Sequence, residues 1–242
     1  MSIEVLPAII PESFEDLNYK MSLVKDIVKL VQIDVCDGKF VSSKRWPYVG
    51  DEENHFEKIT TEESEGFPFW ETLDFEADLM VKNPEEVVEK WIKAGAKAVV
   101  LHIESSPNIL DLIIELREKY GYSDKNSVFG IEIGVAISSN TPLEKLDIFM
   151  EKNSSEKKLI DFVQFMGIDV IGYQGNEFDE KIYDKISNFR SKYKDITISV
   201  DGGVDFDNKY NLVNVGVNKI ISGSTIYNSD NIAEAIKQMQ NV

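Results

Sequence analysis

The sequence is poor in cysteine, in histidine and in positive charge. Its 242 residues include one cysteine, Cys36, and two histidines. A single cysteine excludes an internal disulfide and a zinc site built from several thiolates. Lysine and arginine number 26 against 43 acidic residues, which gives a formal net charge of -17. A protein this acidic is a poor partner for nucleic acid or for an anionic membrane.

The sequence also lacks long apolar runs. None approaches the roughly 20 residues that a membrane-spanning helix needs. The first residues, Met1–Glu4, lack the basic segment that opens a signal peptide, so we expect a cytoplasmic protein. Hydrophobic residues make up 43% of the chain, which is enough for a large core. The length suits one α/β barrel domain of about 250 residues.

Apolar strand-like segments alternate with amphipathic helical segments along the chain. The strand-like segments are Ile3–Ile10, Lys29–Val35, Phe75–Val81, Ala98–Ile103, Val128–Ile137, Leu159–Met166, Ile196–Val200 and Lys219–Ser222. The alternation predicts a parallel sheet with right-handed crossovers, and we expect a (β/α)8 TIM barrel that forms a single domain over residues 1–242. An open doubly wound sheet is the alternative, but no Gly-x-Gly-x-x-Gly motif follows the first strand.

One connection is much longer than a barrel normally needs. Residues 42–73, after the second strand, combine many acidic residues with aromatic ones. Long loops in compact domains are commonly lids or contact elements. We expect this insertion to close over the barrel mouth or to form a subunit contact, burying Trp46, Phe69 or Trp70. A subunit contact would make the protein a homo-oligomer.

Two short segments place an aspartate at the end of an apolar run. They are Gln32–Gly38, which contains Asp34, and Ser199–Val204, which contains Asp201. In a parallel barrel the carboxyl ends of all strands open at one mouth, so these carboxylates can face each other across a substrate. Such a pair can take a proton from one face of a carbon and return one to the other face. The alternative is that each aspartate only caps a turn.

Seven segments together resemble the ribulose-phosphate 3-epimerase family over nearly the whole chain, and they come in the family's order. They are Leu6–Ile10, Asp34–Val41, Leu79–Pro84, Leu101–Glu104, Thr141–Glu144, Val200–Val204 and Ser222–Ser224. The resemblance implies an isomerase that acts on a ketose phosphate through an enediolate. It also implies that Asp34 and Asp201 are the catalytic pair, one removing the proton at C3 and the other returning it.

The metal site of that family is altered in this sequence. The family holds a divalent ion with the two aspartates and two histidines, and the histidine positions fall on Gln32 and Asp78. Together with Asp34 and Asp201, these residues would form an all-oxygen set. Such a set suits Mg²⁺, Mn²⁺ or a similar ion better than Zn²⁺. The alternative is a site without metal, in which Gln32 donates a hydrogen bond to Asp34 or to substrate.

Further substrate-binding candidates lie at other strand ends. Because the chain carries little positive charge, we expect a phosphate to bind backbone N–H groups of glycine-rich loops. The phosphate candidates are Gly172, Gly175, Gly202, Gly203, Gly223 and Ser224. Met80 and Met166 are candidates for apolar packing against the substrate. His102 is either a substrate contact or a buried core histidine.

The leading hypothesis is an epimerase-like enzyme acting on a phosphorylated sugar. Two alternatives stay open. The loss of both metal-binding histidines is compatible with a catalytically silent barrel that binds a phosphometabolite or serves as a scaffold. A related sugar-phosphate isomerase or lyase with a different substrate would keep the barrel and the two aspartates.

Overall fold

A computed structural model describes residues 3–61, 66–123, 130–151, 158–173 and 175–242. Within these ranges eight parallel strands form a closed barrel in sequence order, so the predicted TIM barrel is confirmed. The strands are β1 (Glu4–Ile9), β2 (Leu30–Cys36), β3 (Asp74–Met80), β4 (Ala98–His102), β5 (Glu132–Ile137), β6 (Phe162–Met166), β7 (Thr197–Asp201) and β8 (Lys219–Ser222). The first two residues of the predicted fifth strand, 128 and 129, lie outside the described ranges.

Helical segments connect the strands. The α-helices are α1 (Phe14–Val24), α2 (Glu52–Thr61), α3 (Val88–Lys93), α4 (Ile109–Tyr120), α5 (Lys181–Lys192), α6 (Lys209–Asn214), α7 (Ser224–Tyr227) and α8 (Ile232–Gln240). Two 3₁₀ helices, Pro84–Glu86 and Leu143–Met150, complete the described helical structure. No helix among the described residues is both long and apolar enough to cross a bilayer.

Side-chain caps fix the starts of two helices. The Ser13 hydroxyl accepts a hydrogen bond from the Asp16 N–H at the start of α1. Asn231 does the same for Glu234 at the start of α8. These short polar side chains satisfy N–H groups that have no partner within the helix, which stabilises each helix by about 1 kcal/mol.

The barrel separates two kinds of core. A large apolar cluster fills the layer between the strands and the outer helices, with Trp46 and Trp91 among its completely buried members. Inside the barrel the apolar clusters are smaller, one around Leu6 and Ile221 and one around Phe162. Between these clusters the interior is polar, because β2, β3 and β7 turn acidic and amide side chains inward. The site described below lies in this polar zone.

The barrel interior is close-packed at its lower end. A Cβ atom added to Gly134 on β5 would lie 2.3 Å from the Phe162 ring of neighbouring β6. Glycine at this position therefore makes room for the aromatic ring that closes the base of the barrel.

The long connection after β2 divides between the mouth and the outer layer. Residues 62–65 of this segment lie outside the described ranges. Trp46 is fully buried in the outer layer, where its ring meets those of Phe56 and Trp91. By contrast, Trp70 is 68% exposed. Most of the described segment thus packs on the side of the barrel, and only its first residues lie at the mouth.

Candidate active site

Strand register brings the acidic side chains to one level of the barrel. Asp34 on β2 is paired with Asp78 on β3, and Asp201 ends β7. Side chains two residues apart on a strand share a face, so Gln32 and Asp34 both point into the barrel. The carboxylates of Asp34, Asp78 and Asp201 each offer an oxygen within 4.8 Å of the other two. All three side chains are buried.

Gln32 bridges the two aspartates expected to be catalytic. Its Nε2 donates to Asp34 Oδ1 at 2.7 Å and to Asp201 Oδ2 at 2.8 Å. The Gln32 side chain is completely buried, and its Oε1 has no hydrogen-bond partner among the described residues. The two N–H groups of the amide therefore offset part of the repulsion between the two carboxylates, while the amide oxygen has no hydrogen-bond partner among the described residues.

Asp78 is held on its other side by two donors. His102 Nε2 lies 3.0 Å from Asp78 Oδ1, and Gln164 Nε2 donates to Asp78 Oδ2 at 3.1 Å. Both donors are completely buried. His102 therefore sits behind Asp78, and the structure shows it in the role of a buried, hydrogen-bonded histidine; its contact with substrate stays a prediction.

Burial and neighbouring negative charge raise the pKa values of Asp34 and Asp201. Burial, together with the charges of Asp201 and Asp78, raises the pKa of Asp34 well above its ordinary value. Burial and the charge of Asp78 raise the pKa of Asp201 to about 7. Removing a carboxylate from water and placing it beside another carboxylate both favour the neutral form. The pair is thus suited to hold one proton between them near neutral pH.

The charge of Asp78 also acts on His102. Burial alone would lower the pKa of this imidazole, because it disfavours the charged ring. The charge and hydrogen bond of Asp78, together with the charges of Glu104 and Asp201, outweigh burial, and the net effect is a raised pKa of His102. The ring therefore serves Asp78 as a charge-assisted donor.

A second buried ion pair lies one layer below. Lys219 Nζ on β8 is 2.7 Å from Glu76 Oε2 on β3, and both side chains are almost completely buried. The ammonium group also lies 4.1 Å from the centroid of the Phe162 ring. Burial raises the pKa of Glu76, although Lys219 opposes that rise. Lys219 and Glu76 thus form a buried pair of opposite charges inside the barrel, beneath the three aspartates.

The mouth cavity is lined by residues from β1 to β3 and from the loops after β6, β7 and β8. Its walls include Asp34, Met80, Met166, Gly172, Gly175, Asp201, Gly202, Gly203, Gly223 and Ser224. These residues were all proposed from the sequence as catalytic or substrate-binding candidates, and the structure gathers them around one cavity. The roles assigned to them stay predictions.

The glycines after β7 are required by the backbone. Gly202 and Gly203 have φ angles of +97° and +67°, in the left-handed region that favours glycine. A Cβ atom on Gly203 would lie 3.0 Å from the Phe178 Cα atom. Within the described part of the chain, the N–H groups of Gly203 and Gly223 have no hydrogen-bond acceptor. They are available to an anion in the cavity.

Two contacts tie the loops around the mouth together. Asp37 accepts hydrogen bonds from the N–H groups of Lys39 and Phe40 in its own loop, and from Lys82 in the loop after β3. Ser42 Oγ lies 3.2 Å from the Tyr173 hydroxyl in the loop after β6. The start of the insertion therefore reaches across the mouth to the far loop, next to the cavity.

Sequence reasoning missed three interior side chains. Gln164 lies in the apolar run that forms β6, while Glu76 and Lys219 lie near the starts of β3 and β8. A polar residue at an inward position of a buried strand is a usable signal, because an unpartnered polar group there is costly. Nothing in the sequence indicates which residue each of them contacts.

The site also suits an oxygen-preferring cation. The three converging carboxylates supply hard anionic oxygens, and the Gln32 amide beside Asp34 and Asp201 carries an oxygen with no hydrogen-bond partner among the described residues. Carboxylate and amide oxygens are the ligands that Mg²⁺ and Mn²⁺ prefer. A cation would also reduce the repulsion among three buried carboxylates.

Comparisons with known proteins identify the family of this chain. The sequence profile of the ribulose-phosphate 3 epimerase family matches residues 4–227. Ribulose-phosphate 3-epimerase of Synechocystis sp. is 27% identical, with 99% of this chain and 94% of that protein covered. The enzyme of the same name from Bacillus subtilis is 24% identical, with 98% of each chain covered.

Solved structures share the barrel at lower identity. A crystal structure of KGPDC from Streptococcus mutans superposes with a TM-score of 0.65 at 15% identity, covering 100% of this chain and 97% of that one. Orotidine 5'-phosphate decarboxylase from Pyrococcus horikoshii superposes with a TM-score of 0.58 at 19% identity, covering 98% and 97%. These likenesses concern the fold alone.

Proposed function

Because this chain belongs to the ribulose-phosphate 3-epimerase family, we propose that it epimerises a ketose phosphate at C3, with ribulose 5-phosphate as the first substrate to test. The observation that carries the proposal is the buried pair Asp34 and Asp201, bridged by the Gln32 amide. Epimerisation needs two acid–base groups on opposite faces of one carbon. An aspartate pair drawn from β2 and β7 meets that requirement.

The proposed reaction moves one proton off C3 and another onto it. An ionised aspartate takes the C3 proton, and the electron pair of the broken C–H bond forms the C2–C3 double bond of an enediolate. The other aspartate, which was protonated from the start, then delivers its proton to the opposite face of C3, and this restores the C2 carbonyl. After one turnover the two carboxyl groups have exchanged protonation states. A pKa of Asp201 raised to about 7 lets both states exist near neutral pH.

A divalent ion would fit beside this pair. Asp34, Asp78 and Asp201 would hold it, with Gln32 turning its amide oxygen inward, and the donor set favours Mg²⁺ or Mn²⁺ over Zn²⁺. When bound, such an ion supplies electrostatic stabilisation of negative charge that develops on substrate oxygens. The identity of the ion is part of the proposal.

The phosphate of the substrate would lie against the loops after β6, β7 and β8. Gly203 and Gly223 line the cavity there, and their N–H groups have no acceptor among the described residues. Backbone N–H donors bind a phosphate dianion without any lysine or arginine, which suits a chain with a net charge of -17. Met80 and Met166 would pack against the carbon chain of the sugar, and both are buried in the cavity wall.

Solvent exchange tests the proposal. The protein is incubated with ribulose 5-phosphate in D₂O in the presence of Mg²⁺ or Mn²⁺, and proton NMR follows the loss of the C3 proton and the appearance of xylulose 5-phosphate. Asp34→Asn and Asp201→Asn should each lower the epimerisation rate by about 10²- to 10⁴-fold. Each variant keeps one base, so each should still exchange the C3 proton of one epimer, and the two variants should prefer opposite epimers.

One alternative keeps support from the structure. The amide groups of Gln32 and Gln164 satisfy the carboxylates without any ion, as a silent binding barrel would allow. Wild-type protein that binds ribulose 5-phosphate in calorimetry but exchanges no proton would favour this alternative. Exchange at a different carbon or with a different sugar phosphate would favour a related isomerase or lyase. Homo-oligomerisation and a cytoplasmic location stay predictions from the sequence.

A further inference from the structure

Asp78 is anchored differently from the other two aspartates. Asp34 and Asp201 share one side-chain donor, the amide of Gln32, and the Gly202 N–H also acts on Asp201. Asp78 has a separate donor at each oxygen: His102 Nε2 at Oδ1 and Gln164 Nε2 at Oδ2. His102 lies on β4, the neighbouring strand of β3, and Gln164 lies on β6, so neither donor comes from β2, which carries Asp34. Among the described residues, Asp78 is the carboxylate of the three that has a side-chain donor at each of its two oxygens.

Two hydrogen bonds, one at each oxygen, fix the plane of the Asp78 carboxylate. The torsion that turns a carboxylate about its Cβ–Cγ bond is broad, so a single hydrogen bond leaves the plane of the group adjustable. Donors at both oxygens define that plane. Gln164 is itself steadied, because its Nε2 lies 3.9 Å from Met166 Sδ and its side chain is completely buried. The hydrogen bond to Asp78 is the stronger of the two Nε2 contacts, because it is shorter, at 3.1 Å, and its acceptor is a carboxylate oxygen.

We infer that Gln164, acting with His102, is a positioning residue that sets the orientation of Asp78 toward Asp34 and Asp201. The inference rests on the proposed function, in which these three carboxylates form the catalytic and ion-binding cluster. Groups that orient a metal ligand from behind typically change ion affinity or activity by about 10- to 100-fold when they are removed. The sequence shows Gln164 only as a polar residue within the apolar strand β6, and the structure adds its contact with Asp78.

The substitution Gln164→Met tests the inference, since methionine keeps the length and shape of the side chain and removes the donor. Ser199→Ala is the matched control. Ser199 is the strand partner of Gln164 across β6 and β7, is completely buried, and bonds only to the Val163 carbonyl oxygen within the described part of the chain. Gln164→Asn keeps the amide but shortens the side chain by one methylene, and it replaces the methionine variant if that variant does not fold.

Three measurements separate positioning from general stability. Calorimetric titration with Mn²⁺ should show an affinity about 10- to 100-fold lower for Gln164→Met and nearly unchanged for Ser199→Ala. In the turnover assay, Gln164→Met should lower kcat more than it changes KM. NMR of ¹³C-labelled aspartate carboxyl carbons, with Asp78 assigned through Asp78→Asn, should show the Asp78 resonance displaced in Gln164→Met alone.

The outcomes distinguish this inference from the proposed function. If wild-type protein neither binds Mn²⁺ nor exchanges protons with a ketose phosphate, the proposed function fails, and the Asp78 resonance still reports on positioning. Displacement of that resonance in Gln164→Met but not in Ser199→Ala supports the inference. An unmoved resonance, or an equal displacement in both variants, overturns it. Unchanged Mn²⁺ affinity in Gln164→Met, where wild-type protein binds the ion, overturns it as well.

Discussion

The substitution Asp201→Asn should stabilise the protein relative to wild type near neutral pH, where it slows the proposed epimerisation. Burial and the charge of Asp78 raise the pKa of Asp201 from an ordinary value of 3.8 to about 7. Between these values the folded protein keeps a proton that the unfolded chain has lost. The free energy of unfolding of the wild-type protein therefore falls as pH rises through this window. Asparagine does not ionise and escapes this loss.

The size of the effect follows from the pKa difference. A pKa that moves from 3.8 to about 7 corresponds to roughly 4 kcal/mol between the two ends of the window. Relative to wild type, Asp201→Asn should thus gain stability on the order of 4 kcal/mol when pH is raised from about 4 to about 8. Asparagine also keeps a side-chain oxygen that can accept the hydrogen bond from Gln32.

The assay is urea unfolding at several pH values in the presence of a chelator, because a bound cation would stabilise the folded wild-type protein and hide the effect. Asp230→Asn, a substitution of an exposed aspartate, serves as the control. It should change stability by less than about 0.5 kcal/mol at every pH. A stability difference between Asp201→Asn and wild type that is the same at about pH 4 and about pH 8 would refute the reasoning.

Three further substitutions test other parts of the site and fold. Gln32→His should shift ion preference toward Zn²⁺, measured by competition between Zn²⁺ and Mn²⁺, because imidazole is a softer ligand than an amide oxygen. Gly203→Val should weaken binding of a sugar phosphate by at least about 10-fold in calorimetry. The φ of +67° at Gly203 and the nearby Phe178 backbone both disfavour a side chain at this position. Unchanged affinity would mean that this glycine serves only the turn. Trp46→Ala should lower the unfolding free energy by about 3–5 kcal/mol, because the ring is fully buried in the outer layer; a loss below about 1 kcal/mol would show that the layer closes around the gap.

Strand order and the two principal aspartates could be predicted from the sequence alone. Apolar runs separated by helical patterns leave few topologies, since parallel strands need crossovers of one hand. In such a barrel the ends of all strands meet at one mouth, so an aspartate that closes a strand must lie there. Asp34 and Asp201 are placed by this argument, although the sequence does not show that Gln32 reaches Asp201, 169 residues further along the chain.

Local details were less predictable. The sequence motifs Asn83–Glu86 and Thr141–Glu144 are typical of capped α-helix starts. In the structure both introduce 3₁₀ helices, at Pro84–Glu86 and Leu143–Met150, with no side-chain cap. Asn83 instead adopts a left-handed backbone with a φ of +54°. Packing against the barrel overrides the local preference, which is worth only about 1 kcal/mol.

The hydrogen-bond partners inside the barrel were decided by tertiary structure. Asp78 and Gln164 are 86 residues apart and become neighbours only because the barrel closes. Sequence pattern reports which face of a strand a residue occupies, through the period of two. It carries no information on which inward side chains of distant strands meet, since that depends on the stagger of the strands around the barrel. The sequence therefore determined the carboxylates at the mouth, and the closed barrel determined that Gln32 bridges two of them while Gln164 and His102 hold the third.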